Sequence, residues 1–400
     1  MSNLSDRIKN ITESATLEMT RKSRELKAQG KNVINLSIGE PDFNTPECIK
    51  QAAKDAIDAN QTHYTPVAGI QELRQAIATK FKNDNGLDYT FQQIIVSNGA
   101  KQSIANALLC LINPGDEVIV PAPYWVSYPE MIKLAEGVMV EIPTTVNQGF
   151  KVTPEQVEAA ITPKTKAFLF NSPNNPSGAV FSYDELKGIA EVLKKYPNIY
   201  IISDEIYEYL NYCGEHATIG SFDYLKDRLI IINGVSKGFA MTGWRIGYMA
   251  APLDIAKACD ILQGQITSGA SSISQLASLK AVQIAPCTSE EMKTMISTFR
   301  QRRDLLIEKL DQIPGIKTNM PDGAFYVFAN VAGFYGKSDG ITTIKNDVDL
   351  CMYLLENAYV ALVPGGAFGN ENCVRFSYAT SNQNLIEAAE RIKIALAKLN

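Results

Sequence analysis

Two patterns of apolar residues alternate along the chain. Short apolar runs stop abruptly at small or polar residues, as at Ile94–Ser97, within NPGDEVIVPAPYW (113–125), in KAFLFN (166–171), in NIYIIS (198–203) and at Leu229–Ile232. Each predicts a buried strand that ends in a loop. Between several of them, apolar residues recur every three or four positions, which predicts helices over 46–60, over 69–84 and from Ala100 to about Ile112. Strands alternating with helices in this way predict a mainly parallel α/β sheet. Residues 5–30 read as one helix, with Ile8, Ile11, Leu17 and Leu26 among charges and Gly30 as its stop.

Beyond Asp254 the pattern becomes mostly helical. A long helix is expected over about 288–313, with Arg300, Arg302 and Arg303 on a solvated or interface face. The tail returns to short strands at 323–330, 359–365 and 373–380, with helices at 346–357 and 382–399. This is an α+β unit appended to the sheet, and the N-terminal stretch is expected to pack with it. The division expected is a large domain over 46–285 and a small one made of 1–45 and 286–400.

Composition narrows the class. With 46% hydrophobic and 20% charged residues, the 400-residue chain has the make-up of a soluble globular protein. A net charge of -5 argues against nucleic acid or an anionic membrane as main partner, and no apolar run reaches the length of a membrane span. Seven scattered cysteines without a CxxC pair suit reduced thiols in a cytoplasm. Two histidines far apart in sequence argue against an imidazole-based metal centre.

The candidate chemistry sits where the predicted strands end, which is where open α/β sheets bind ligands. Lys237 lies just past Leu229–Ile232, flanked by Ser236, with Arg245 eight positions on. Alone it is a loop lysine. After Ile94–Ser97 comes Gly99–Ala100–Lys101 at a helix start, a geometry that receives phosphate although it matches neither GxGxxG nor GxxxxGK[ST]. Trp125 can stack on a planar ligand or pack in the core, and Asn175 offers an amide in the turn SPNNPSG (172–178). Asp204 can be a helix N-cap or a buried acid awaiting a ligand, with Tyr207 three residues on. Gly39 in VINLSIGEPDFNTP (33–46) marks a turn or a close backbone approach, and Tyr64 is exposed in a loop. Phosphate donors, an aromatic plate, a phenol, an amide, a buried acid and an amine together suit pyridoxal 5′-phosphate. Its aldehyde forms a Schiff base with a lysine, and its ring nitrogen needs an acid.

The motifs SNGAKQ, PAPYW, NSPNNPSG, SDEIY, SKGFAMTGWRIGY and VRFSYAT resemble those of fold-type I, class I aminotransferases, in particular the bacterial subgroup that includes aspartate/prephenate aminotransferases. The resemblance covers nearly the whole chain. It implies a large domain with a seven-stranded sheet and a homodimer with its active sites at the interface. Lys237 would anchor pyridoxal phosphate and shuttle the Cα proton, and Asp204 would pair with the ring nitrogen. Tyr207 and Asn175 would bond the ring oxygen, and Trp125 would stack on the ring. Gly99, Ala100, Ser236 and Arg245 would grip the phosphate, joined by Tyr64 from a second subunit. Arg375 would bind the substrate α-carboxylate, with the Gly39 backbone closing over it. The partner arginine that other subgroups use for the side-chain carboxylate has no counterpart in ILQGQITSGASS (261–272); in the subgroup this chain resembles, a lysine after the phosphate turn does that work, which implies Lys101, with Thr16 resembling the assisting hydroxyl. Aspartate, glutamate and prephenate/arogenate all fit that arrangement. The competing readings are a transaminase for aromatic amino acids or alanine and, more remotely, a pyridoxal-phosphate-binding regulator, against which the negative net charge counts.

Overall fold

The computed structural model describes residues 4–13, 15–284 and 289–400. A short strand, β1 (Ile34–Asn35), precedes the main sheet. That sheet has seven strands: β2 (Ile94–Ser97), β3 (Glu117–Pro121), β4 (Val138–Ile142), β5 (Thr165–Asn171), β6 (Tyr200–Asp204), β7 (Leu229–Gly234) and β8 (Gly247–Ala250). Their order is β2-β8-β7-β6-β5-β3-β4. All pairings are parallel except those of β8, which runs antiparallel to both β2 and β7. The C-terminal ends of six strands therefore share one edge with the start of β8.

Period-two alternation divides the core into two layers. Ile201, Ile231, Phe168 and Val96 face one cluster, whereas Ile202, Ile232, Leu169 and Ile95 face the other. Burial on both faces explains why β5, β6 and β7 read as continuous apolar runs. Each such side chain contributes about 1.5–3 kcal/mol by leaving water. The Ala100–Leu111 and Leu253–Ile266 helices cover the second layer. The expectation of strands at 94, 117, 166, 198 and 228 holds, but it lacked β4 and β8. β4 is an edge strand with two of its five residues exposed, and β8 has four residues inside a loop-like motif.

The C-terminal part forms β9 (Tyr326–Asn330), β10 (Val360–Ala361), β11 (Val363–Pro364) and β12 (Cys373–Ser377), with antiparallel order β11-β12-β9. β10 pairs in parallel with β1, which joins the N-terminal stretch to this unit. No described helix is long and apolar enough to cross a membrane.

Two expectations need correction. The N-terminal stretch is two helices, Asp6–Lys9 and Ala15–Ala28. Between them the chain turns so that the Thr12 N–H and hydroxyl donate to the Glu130 carboxylate at 3.1 and 3.0 Å. Arg302 and Arg303, on the Glu290–Leu310 helix, are buried. Arg302 lies over the Phe43 and Phe299 rings, which touch each other, and pairs with Asp42 at 2.7 Å. Arg303 donates to the Pro321 carbonyl at 2.9 Å and covers Tyr212. Planar guanidinium groups can stack on rings while bonding in their plane, so polarity alone did not place them outside. Arg300 is exposed as expected.

Gly247 opens β8 against the start of the Ala100–Leu111 helix, and a Cβ there would meet Ala100 N at 2.1 Å and Gly99 C at 2.4 Å. Backbone cannot yield as a flexible side chain can. Gly247→Ala is expected to lose about 1–3 kcal/mol or more in denaturant unfolding, the range for overpacking a dense interior.

Candidate active site

A cavity of about 510 Å³ opens at the shared strand edge, closed above by the Ala15–Ala28 helix and the loop after β1. Twelve of the predicted residues line it: Thr16, Gly39, Ala100, Lys101, Trp125, Asn175, Asp204, Tyr207, Ser236, Lys237, Arg245 and Arg375. Gly99 stands just behind the wall. Its positive φ of 83° turns the chain from β2 into the helix, and a Cβ there would lie 2.3 Å from the Arg245 guanidinium. Tyr64 is fully exposed, away from the cavity.

Each strand end delivers a defined group. Past β2, the helix start at Ala100 faces the cavity, and Arg245 beside it donates to the carbonyls of Thr242 at 3.0 Å and Asn98 at 3.3 Å. First-turn N–H groups with a guanidinium alongside make an anion site. Past β3 stands Trp125, with Lys101 Nζ 4.9 Å from its ring centroid. Past β5, Asn171 accepts the Asn175 N–H at 2.8 Å and donates its own amide to the Asp204 carbonyl at 2.6 Å. The Ser172–Pro173 and Asn175–Pro176 bonds in that turn are cis.

At the end of β6, the Asp204 carboxylate accepts from the Tyr128 hydroxyl at 2.7 Å and the Ile206 N–H at 3.2 Å. Burial nevertheless pushes its carboxyl up to about 6, against the opposing Tyr128 bond. Past β7, Lys237 Nζ donates to the Gly39 carbonyl at 2.6 Å and lies 5.7 Å from the Tyr207 ring centroid. Burial pulls its amine down to about 8; the Arg375 and Arg245 charges add to this, and Glu40 and Asp204 oppose it. Burial likewise lowers Lys101, with Arg245 adding to the effect.

Arg375 enters from β12 and is 2% exposed. It donates to Asn175 Oδ1 at 3.0 Å and to the Ser37 carbonyl at 2.6 Å, over the rings of Tyr326 and Phe368. Its Nε has no partner, and no carboxylate pairs with it among the described residues. A guanidinium buried against neutral acceptors is costly and is set up to receive an anion. Thr16, Leu17, Thr20 and Arg24 form the opposite wall on the N-terminal helix.

Sequence reasoning missed Tyr128, Asn171 and Tyr326. Tyr128 lies three residues past Trp125, followed by a helix-starting proline, a signal that could have been followed. Asn171 is the polar end of an apolar run, which is also a signal. Tyr326, whose hydroxyl is 2.9 Å from that of Tyr207, sits inside an apolar strand and carries none.

Against known proteins, the profile of aminotransferases of class I and II matches residues 31–392. A probable aspartate/prephenate aminotransferase of Rhizobium leguminosarum is 48% identical, over 98% of both chains. A bifunctional aspartate aminotransferase and glutamate/aspartate-prephenate aminotransferase of Petunia hybrida is 46% identical, over 99% of this chain and 83% of that one. Among solved structures, the aspartate aminotransferase of Rhizobium meliloti superposes with a TM-score of 0.96 at 44% identity over the whole of both chains. The Thermus thermophilus aspartate aminotransferase with maleate gives 0.93 at 42% identity, over 99% of this chain and all of that one. The chain belongs to the class I and II aminotransferase family, and its fold is the fold-type I arrangement.

Two outcomes follow from the buried charges. An amine reacts with an aldehyde only when unprotonated, so capture of an aldehyde by Lys237 in the ligand-free protein is expected to rise with pH and level off above about 8. A midpoint near that of an ordinary lysine, about 10.4, would contradict the burial argument. For Asp204 the folded carboxyl holds its proton more tightly than the unfolded one, so ionisation destabilises the ligand-free fold as pH rises from about 4 to 6. Asp204→Asn should therefore stabilise the ligand-free protein on the order of 1–3 kcal/mol at neutral pH, and the gain should vanish in acid.

Proposed function

We propose that the protein is a pyridoxal 5′-phosphate-dependent aspartate aminotransferase, converting aspartate and 2-oxoglutarate to oxaloacetate and glutamate by ping-pong transfer, with prephenate to arogenate as a further reaction. The observation that carries this reading is Arg375, a buried cation without a counter-anion in the cavity that holds Lys237, with Lys101 as a second cation in its wall. The names borne by the relatives from Rhizobium and Petunia, and the maleate in the Thermus structure, support a substrate with two carboxylates.

The residues fit the cofactor. The Ala100 helix start, Ser236 and Arg245 suit its phosphate, Asp204 is a buried acid, and Lys237 is a half-buried lysine whose neutral amine is accessible near neutral pH. When bound, pyridoxal phosphate supplies an aldehyde for the amino group and a ring that withdraws the electron pair left at Cα. Asp204, as carboxylate, keeps the ring nitrogen protonated. Tyr207 and Asn175 bond the ring oxygen, and Trp125 stacks on the ring. Arg375 binds the α-carboxylate through two guanidinium N–H groups and so fixes which Cα bond lies across the ring. Lys237 Nζ would take up the proton from the substrate Cα and hand it back in the course of the transfer. In the ligand-free protein the acceptor of that amine is the Gly39 carbonyl.

Lys101 binds the side-chain carboxylate, with Thr16 on the facing helix and the Gly39 backbone closing the site. We further propose a cytoplasmic homodimer in which Tyr64 reaches the phosphate of a second copy. Its full exposure, with Ile261 and Ile266 also exposed on the Leu253–Ile266 helix, supports that arrangement.

A transaminase for alanine or aromatic amino acids would use the same chemistry without Lys101. A charge-assisted bond contributes about 1.5–3 kcal/mol, so Lys101→Ala should lower kcat/KM for aspartate about 10- to 100-fold and leave alanine nearly unchanged. Equal loss on both donors would remove the dicarboxylate assignment. A donor and acceptor panel that includes prephenate distinguishes the two reactions.

A further inference from the structure

The turn that carries Asp204 and Tyr207 into the cavity has a second set of charges on its other side. Glu205 and Glu208 belong to the same turn, and with Asp204 they are 1%, 4% and 3% exposed. Three carboxylates within five residues, all out of water, repel one another unless cations meet them. The turn is closed by Glu208 N–H to the Glu205 carbonyl at 2.9 Å and Leu210 N–H to the Tyr207 carbonyl at 2.7 Å, so displacement of either glutamate moves the cavity residues with it.

Behind the turn, Lys80 from the Gln71–Asn85 helix forms a buried ion pair with Glu208. Asn85 ties both together, accepting from Lys80 at 2.7 Å and donating to Glu208 at 3.0 Å. Glu205 accepts from Ser203 at 2.9 Å and Thr218 at 2.7 Å, and His216 Nε2 lies 2.9 Å from its other oxygen. Glu205, Glu208 and His216 place ligand atoms within 4.8 Å of one another, and one of the three, Glu208, is already paired with the Lys80 ammonium. With Lys80 paired to Glu208 and His216 against Glu205, the two carboxylates are balanced when His216 is an imidazolium.

The remaining ionisable neighbours do not supply that charge. Tyr89 beside Glu205, and Tyr209 and Tyr248 beside Glu208, are held as neutral phenols chiefly by burial. Asp84 accepts the Tyr209 hydroxyl at 2.6 Å. For His216, burial favours the neutral ring and Lys80 adds to that. The hydrogen bond and charge of Glu205, together with the charge of Glu208, prevail and raise it. In turn, the Glu205 charge is one of those that push the Asp204 carboxyl up.

We propose that Lys80 and His216 are positioning residues for the transamination centre: as buried cations behind the 204–210 turn, they hold Glu205 and Glu208 so that Asp204 stays ionised and Tyr207 stays placed. The link to the cofactor rests on the role assigned to Asp204 above. The chain has two histidines, and His63 is exposed, so proton–nitrogen correlation spectra of the ligand-free protein give two ring signals, assigned with His63→Gln. His216 is expected to titrate above the ordinary histidine value of about 6.5. Titration at or below about 6.5 overturns the proposal, and the measurement needs no cofactor and no variant beyond the one at exposed His63.

His216→Gln retains a donor for Glu205 and removes the charge. Its affinity for pyridoxal phosphate at about pH 5, where the Asp204 carboxyl of the ligand-free protein is mostly protonated, should fall about tenfold, the equivalent of one pKa unit at Asp204, and return to within about threefold of wild type in His216→Gln/Glu205→Gln. Loss from packing alone would not be rescued by neutralising Glu205, and unchanged affinity in the single variant overturns the proposal. If the single variant does not fold, the double variant decides: near-wild-type affinity supports charge balance, and a tenfold loss overturns it. A wild-type protein that binds no pyridoxal phosphate would defeat the cofactor assignment instead, leaving the histidine titration to be judged by itself.

Discussion

Charge held out of water at the C-terminal edge of the sheet is the constraint on which the rest depends. Asp204 and Arg375 are buried and Lys237 is half-buried around one cavity, and none forms an ion pair among the described residues. Such groups are stable only if the surrounding fold is strong enough to hold them. The two-layered apolar core provides that strength. Strands buried on both faces cannot shift register without moving every side chain to the wrong layer. The groups at their ends are therefore fixed more rigidly than loop residues ordinarily are.

Neutral hydrogen bonds replace counterions throughout the site. Tyr128 and the Ile206 N–H meet Asp204, the Gly39 carbonyl meets Lys237, and Asn175 and the Ser37 carbonyl meet Arg375. Each bond orients its charged group without neutralising it, which leaves the charge available to a ligand. Asn175 and Asn171 link these partners, since Asn171 bonds both the Asn175 backbone and the Asp204 carbonyl. A ligand that satisfied the ring-facing acid and the guanidinium would therefore act on one connected network. Behind it, the charges on the rear of the 204–210 turn are paired within the protein, in contrast to the cavity side.

Much of the site was legible because strand ends are marked in the chain. An apolar run stopped by Asn, Ser or Asp signals both a strand and a place where a polar group emerges, and Asp204, Asn175, Ser236 and Lys237 were found in that way. The family resemblance in the motifs then assigned roles to Trp125, Arg245 and Arg375. The strands β4 and β8 were hidden because an edge strand and a four-residue strand have too little apolar repeat to register. Tyr326 looked like core, since its apolar neighbours in β9 conceal the one hydroxyl that faces Tyr207.

Local pattern by itself determined the alternation of strands and helices, the mainly parallel sheet, and the residues that emerge at its edge, because each depends on a few consecutive positions. Partnership across the chain was decided only by tertiary structure. Arg302 and Arg303 read as solvated and are buried, since the rings and acceptors that receive them come from Phe43, Asp42, Tyr212 and Pro321. The same holds for charge state. Lys237 is an ordinary lysine by composition; burial, with cations from β12 and the loop before β8 gathered around it, is what brings its amine down toward neutrality.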